Sequence, residues 1–143
     1  MLVAAVFWRP KKRRYPTSII LLHPSIAMYH RGWGRPGDAG VVAEEGGRRL
    51  GAAWYRLFTD EEHGHGYVDA ATPELGIGVV VDARGRGVGR ALMEALHERA
   101  RGDGIRRMAL SVDPDNPAKQ LYVALGYRGV ESDDPNDTMV LEL

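Results

Sequence analysis

The chain has 143 residues, enough for one domain with a real core and too few for two domains of ordinary size. Hydrophobic residues at 44%, charged residues at 27% and 18 glycines describe a globular protein with many tight turns and exclude a disordered or fibrous chain. Nineteen basic residues balance nineteen acidic ones, so no global field favours nucleic acid, and the lack of cysteine excludes a disulfide scaffold, a thiolate nucleophile and a cysteine-ligated metal.

Leu2 to Trp8 is an apolar run without polar alternation, stopped by Pro10, which fits either a short helix or a strand packed on the core. It is too short to span a bilayer, lacks a basic leader, and is followed by no longer apolar run. Neither a membrane segment nor an export signal is expected, and a cysteine-free chain of this kind fits the cytoplasm. Arg9 and Lys11 to Arg14 form a short basic cluster without aromatic interleaving, which reads as a solvated loop rather than a nucleic-acid patch. Thr17 to Gly32 is predicted as a helix, with Pro24 in a first turn, Ser25 as a nearby cap, and Ile26, Tyr29 and Trp33 at helical spacing. Gly32, Gly34, Pro36 and Gly37 then break regular structure.

Val41 to Glu45 and Arg49 to Phe58 flank Gly46-Gly47, a hairpin signal that predicts two antiparallel strands. Thr59 to Thr72 is a polar loop long enough to reach over a site. Its His63 and His65 have no third ligand at a recognisable spacing, so they read as solvated side chains and no metal is expected.

Glu74 to Arg90 reads as strand, turn and helix, and the rest of the chain is arranged around it. Leu75 to Val81 is a β-branched apolar run of the kind found in a strand buried on both faces. Val88, Ala91, Leu92, Ala95, Leu96 and Ala100 recur at helical spacing, which predicts an amphipathic helix from about Gly87 to Arg101. Between strand and helix lie Gly85, Gly87 and Gly89 among Arg84, Arg86 and Arg90. A glycine-rich turn lets a ligand touch the backbone, and the unpaired amides of a helix start carry partial positive charge, so this turn is a candidate phosphate cradle. Gly102 and Gly104 cap the helix, Ile105 to Val112 is the next strand, and Asn116 to Leu125 is a short helix opening near Pro117. Tyr127 to Val130 and Thr138 to Leu143 are two last strands around an Asp-Asp-Pro-Asn-Asp turn.

Arg84-x-x-Gly87-x-Gly89 resembles the acyl-CoA signature of the GCN5-related N-acetyltransferases, and the stretch from Asn116 through Leu121, Tyr122 and Leu125 to Tyr127 is similar to that family's second signature, in the usual order and at the usual distance. The resemblance runs from about Val41 to Leu143. It implies an α/β fold: a mixed, mostly antiparallel central sheet splayed between two parallel strands, with helices on both faces and acetyl-CoA in the splay. In that reading the amides of Gly85, Arg86, Gly87, Val88, Gly89 and Arg90 hold the diphosphate, supplemented by the Arg84 and Arg86 side chains, and the backbone of Val79, Val80 and Val81 pairs with the pantetheine arm. The amide of Val79 or Val80 is the candidate oxyanion donor. Glu74 is the candidate base for the acceptor amine and Tyr122 the candidate acid for the leaving thiolate, while the Asn116 position usually contacts the cofactor. Each has a plain alternative: Glu74 as a strand start, Tyr122 as a core aromatic, Asn116 as a helix cap.

The expected activity is direct transfer of an acetyl group from acetyl-CoA to a primary amine, and the rival is a non-catalytic acyl-CoA-binding module. A dinucleotide or triphosphate site fails on spacing, because Gly85-x-Gly87-x-Gly89 lacks the Gly-x-Gly-x-x-Gly order and no Gly-Lys-Ser or Gly-Lys-Thr follows. Tyr29, Trp33, Trp54, Tyr55 and the His63 to Tyr67 loop are candidates for the acceptor pocket. Members of the family usually begin with a strand and a full helix that this chain has little room for, so a missing first strand, an open Val41 to Glu45 edge and a homodimer whose interface includes the Met1 to Trp8 segment or that edge are expected.

Overall fold

The computed structural model describes residues 22–143. The Leu2 to Trp8 run, the basic cluster, the first part of the predicted amino-terminal helix and the expected loss of a first strand all fall outside the described residues. At the start of this range, Pro24 divides the predicted helix. The residue before a proline is pushed out of the helical region, and His23 is extended at φ −62° and ψ 131°. After His23 the single turn α1 (Pro24–Ala27) forms, succeeded by irregular turns as far as Gly37. Ser25 does not cap it: its hydroxyl lies 2.7 Å from the His23 ring nitrogen Nδ1.

β1 (Ala39–Glu45), β2 (Arg48–Arg56), β3 (Glu74–Val79), β4 (Arg107–Val112), β5 (Arg128–Val130) and β6 (Asp137–Glu142) form one sheet in the order β1-β2-β3-β4-β6-β5. Every neighbouring pair is antiparallel except β3 and β4, which are parallel. The predicted mixed sheet, opened between two parallel strands, is the one found. Gly46 and Gly47 turn the first hairpin at φ 57° and 78°, the doubly positive φ that a two-residue type I′ turn requires. Strand β2 stops at Arg56 rather than Phe58, and β3 stops at Val79 rather than Val81.

Side chains alternate across a strand, and β2 shows which helix covers which face. A Cβ on Gly51 would lie 2.9 Å from Leu92 of α2 (Val88–Gly102), and the Tyr55 hydroxyl donates to Asp103 just past that helix. Gly51, Ala53 and Tyr55 therefore face α2. Arg56 faces the other way and donates to the carbonyls of Met28 and Arg31, at 2.7 and 2.8 Å, which docks α1 on the opposite face. The core lies under α2: Met93, Leu96 and Ala100 pack with Ala53, Met108 and Leu110, all at most 2% exposed. Cutting Met93, Leu96, Met108 or Leu110 back to alanine there costs about 2–5 kcal/mol.

α2 ends one residue past the predicted Arg101, with Gly102 its last helical residue and Gly104 alone capping it. Gly104 is left-handed at φ 78°, and Ile105 N–H reaches back to the Ala100 carbonyl at 2.9 Å, closing the helix with a Schellman turn. α3 (Ala118–Ala124) returns the chain over the same face, where the Tyr127 hydroxyl lies 2.9 Å from His97 Nε2 of α2. Among the described residues no helix is long and apolar enough to cross a membrane.

Candidate functional site

The glycine-rich turn runs from a short 3-10 segment (Val81–Ala83) to Gly87, which sits at φ 82° as the residue before α2. Glycine offers no capping side chain, and the first intrahelical bond is Ala91 N–H to the Gly87 carbonyl at 3.0 Å. The amides of Val88, Gly89 and Arg90 are thus left without an acceptor in the helix, at its positive pole. A Cβ on Gly85 or Gly87 would meet no described residue within 4 Å, so among the described residues the turn is open and the positive φ alone calls for glycine. Gly89 differs: its φ is ordinary, and a Cβ there would sit 3.5 Å from Leu121 and 4.0 Å from Val79, which draws strand end, turn and α3 together.

The three arginines are already engaged. Arg84 Nε donates to the Val79 carbonyl at 3.1 Å and ties the turn to the strand end. Arg86 grips both carboxylate oxygens of Glu45 on the hairpin at 3.0 Å, and Arg90 lies 3.7 Å from Glu94. The Arg86 and Arg90 pairs are exposed, and exposed pairs are worth little, so a polyanion can displace them.

Val80 corrects part of the sequence reading. Its amide donates to the Leu50 carbonyl at 2.9 Å, so it is taken by β2 and is not an oxyanion donor. Val81 lies beyond the strand, in the 3-10 segment, with its side chain 59% exposed, and so does not extend the β3 edge. Hydrogen bonding alternates along an antiparallel strand, so with Val80 turned to β2, the amides of Val79 and Ile77 point the other way, toward β4. There β4 has left: the parallel pairing is confined to Glu74↔Ala109, with Ala109 N–H on the Pro73 carbonyl at 3.0 Å. The Val79 amide therefore faces the opening between the parallel strands.

At the closed end of that opening is Glu74, 3% exposed. Its Oε1 accepts from the Tyr29 hydroxyl at 2.6 Å and from the Gly66 amide at 3.0 Å, while Oε2 is buried without a partner among the described residues. Burial raises its pKa above the ordinary carboxylate range, against the lowering effects of those two donors and of nearby His65 and His63. The 59–73 loop covers it closely. A Cβ on Gly64 would overlap the Tyr29 hydroxyl and lie 2.7 Å from Glu74 Oε1, and one on Gly66 would be 2.7 Å from the Ser111 nitrogen of β4. These two glycines are required by crowding, a signal the sequence reading passed over.

Tyr122 is on α3, 7% exposed, and its hydroxyl makes no hydrogen bond to a described residue. Burial pushes its phenol up to about 12. Asn116 Oδ1 accepts from Ala118 N–H at 3.0 Å, so it caps the opening of α3. Of the aromatic candidates, Tyr55 lies in the α2 core, while Tyr29, which bonds Glu74, joins Trp33 and Trp54 in lining a cavity of about 490 Å³ with Gly40 and Val42 at the β1 side of the sheet. His63 stacks on Tyr67 at 4.3 Å and His65 Nδ1 lies 2.7 Å from Asp134, and among the described residues no group of three or more metal-ligating side chains is assembled.

A model of the acetyltransferase (GNAT) family matches residues 4–127. Mycothiol acetyltransferase of Arthrobacter sp. (strain FB24) is 32% identical over 102 residues, which are 71% of this chain and 30% of that protein. The protein of the same name from Streptomyces bingchenggensis is 33% identical over 93 residues, 64% of this chain and 28% of the other. The chain thus spans about 30% of the length of the curated relatives it matches. Among solved structures, the GNAT domain of S. lividans PAT aligns with TM-score 0.65 at 28% identity, over 74% of this chain and 61% of that one. An N-acetyltransferase named PaiA from Thermoplasma acidophilum, solved with coenzyme A, shares the fold at TM-score 0.69 and 13% identity, over 98% of this chain and 87% of that one.

Proposed function

The chain belongs to the acetyltransferase (GNAT) family, and we propose that residues 1–143 form a single acyl-CoA N-acyltransferase domain that moves an acetyl group from acetyl-CoA directly to a primary amine, in the cytoplasm. The observation that carries this reading is the pairing of an uncapped helix start with a strand edge that β4 does not cover: orphan amides at Val88, Gly89 and Arg90 suit a diphosphate, and the Val79 edge suits an amide-bearing arm. The turn's open surroundings leave room for both.

In this reading Glu74 accepts the proton of the acceptor ammonium, for which its raised pKa suits it. The amine nitrogen then bonds to the thioester carbonyl carbon, and the Val79 amide stabilises the charge gathering on oxygen. As the carbon–sulfur bond breaks, Tyr122 donates a proton to the sulfur. A phenol near 12 stays protonated through the physiological range and is always ready to donate. Asn116, fixed by its capping bond, keeps its side-chain NH2 group for the cofactor.

The test is release of CoA thiol with a panel of amines, run beside calorimetry of acetyl-CoA binding. Binding with turnover supports the enzyme. Binding without turnover supports a non-catalytic acyl-CoA-binding module, which the sealing of Glu74 beneath Gly64 favours. We propose in addition a homodimer across β1, one of the two edge strands among the described residues, whose Val42 is 59% exposed; a monomer in light scattering at micromolar concentration removes it.

A further inference from the structure

Glu74 is closed off, yet a base must take up and give back a proton. Its Oε2 is buried without a partner among the described residues, and the Gly64 backbone lies so close that a Cβ there would overlap that oxygen. Oε1 meets two donors, the Gly66 amide at 3.0 Å and the Tyr29 hydroxyl at 2.6 Å. An amide nitrogen has no lone pair with which to take a proton in exchange for its own. A hydroxyl does, because its oxygen accepts one proton while its hydrogen leaves. Tyr29 is therefore the one described group bonded to the carboxylate that can conduct a proton to it.

Tyr29 also stands where a ligand can touch it. It is half-buried, and it is the one described side chain that both lines the cavity of about 490 Å³ beside Trp33 and Trp54 and bonds Glu74. Its place is fixed from two sides: Arg56 holds the Met28 and Arg31 carbonyls, and the Tyr29 ring packs edge-on against Phe58 at 5.6 Å. We propose that Tyr29 is a catalytic proton relay: the acceptor stands in the cavity, its ammonium N–H proton passes to Tyr29 Oη, and the Oη–H proton passes to Glu74 Oε1. The nitrogen is left as a free amine, Glu74 as the carboxylic acid and Tyr29 as the neutral phenol it was before. Between turnovers the same two transfers run backward and deliver the proton to water. Burial and the Glu74 carboxylate hold the phenol well above its ordinary range, so no tyrosinate accumulates and the two transfers occur together. The other charges facing this pair are His63 and His65 of the covering loop, which favour ionised Glu74, and Asp134, which opposes ionisation of Tyr29. Arg56, in register with Glu74, is engaged by Asp38. The relay rests on the acetyltransferase reading above.

The experiment measures kcat against pH, as CoA release with the fastest amine of the panel, in the full chain and in its Tyr29→Phe, Glu74→Gln and double variants. Circular dichroism checks each fold and calorimetry checks acetyl-CoA binding. The expected result is a fall in turnover on the order of 10²-fold in each single variant, with the double variant no slower than the slower single one and acetyl-CoA affinity unchanged. The acid limb of the kcat profile should be missing from Tyr29→Phe, although melting against pH still shows Glu74 titrating there, a signal that Glu74→Gln removes. Three results overturn the relay: wild-type turnover in Tyr29→Phe, losses that multiply in the double variant, or an acid limb that survives in Tyr29→Phe and only moves to higher pH. The last would make Tyr29 a positioning group that no proton crosses. In all three the wild-type chain still turns over and the acetyltransferase reading stands, whereas a wild-type chain that releases no CoA with any amine removes the transferase and the relay together.

Discussion

Arg56 and Glu74 are direct partners across β2 and β3, yet no ion pair joins them. Arg56 gives Nε and a terminal nitrogen to the two oxygens of Asp38, at 2.8 and 2.6 Å, and its remaining donor to the Met28 and Arg31 carbonyls. Glu74 is left to the uncharged donors Tyr29 and Gly66. A carboxylate bonded to arginine would be held low; one in this position is pushed up by burial, as a base for an ammonium needs. Asp38 thus keeps Arg56 away from the site, and Arg56 holds the carbonyls that flank Tyr29.

The Arg56–Asp38 pair is 1% exposed on both sides, so removing one partner strands a buried charge. Asp38→Ala is expected to destabilise by about 3–5 kcal/mol, read as a shift in the denaturation midpoint. A loss below about 1 kcal/mol would show that Arg56 finds other partners, with Glu74 the nearest in register.

Glu74→Gln separates stability from catalysis. The folded-state pKa of Glu74 is raised, so the folded protein binds more protons than the unfolded chain between the ordinary value of 4.5 and the raised pKa, and stability falls as pH rises through that window. Gln removes this penalty: melting at pH 8 should move up in the variant, and the difference should vanish below pH 4.5. Turnover should drop on the order of 10²-fold, and the acid limb of the wild-type kcat profile, above the usual carboxylate range, should disappear. A variant as active as the wild type assigns the base elsewhere.

Much of the fold was legible in the chain because it rests on local rules. Gly46-Gly47 specifies its hairpin through backbone conformation, and the apolar spacing from Val88 to Ala100 specifies the α2 face. The signature residues sit on the strand, turn and helix assigned to them. Contacts between distant segments were not legible. Tyr29 reaches Glu74 over 45 positions and Arg56 reaches Met28 over 28, and neither pairing leaves a spacing pattern. The end of β3 was misread for a related reason: Val79, Val80 and Val81 are equally β-branched, and it is the 3-10 turn after Val80 that decides where the strand stops.

Tyr122→Phe removes a hydroxyl that bonds no described residue, so the fold should be nearly indifferent to it. Turnover should fall on the order of 10²-fold while acetyl-CoA affinity stays the same, because a proton donor acts on the transition state. Unaltered turnover at saturating substrates would make Tyr122 a core aromatic beside Tyr127, 6.0 Å away between ring centres.

The two glycines of the signature should respond differently to substitution, which separates backbone conformation from simple crowding. Gly87 holds φ 82° in open space, so Gly87→Val meets no neighbour within 4 Å at its Cβ but forces a β-branched residue into the left-handed region. The turn should relax and misalign the Val88 to Arg90 amides, and calorimetric acetyl-CoA affinity should fall more than tenfold, a loss of about 1.4 kcal/mol. Gly89 has an ordinary φ, and its Cβ position lies 3.5 Å from Leu121, a normal contact distance. Gly89→Ala should therefore bind acetyl-CoA nearly as well as the wild type, whereas Gly89→Val adds methyl groups to a space already bounded by Leu121 and Val79 and should weaken binding as Gly87→Val does. Equal affinity in all three folded variants would mean that the helix start is not where the diphosphate sits.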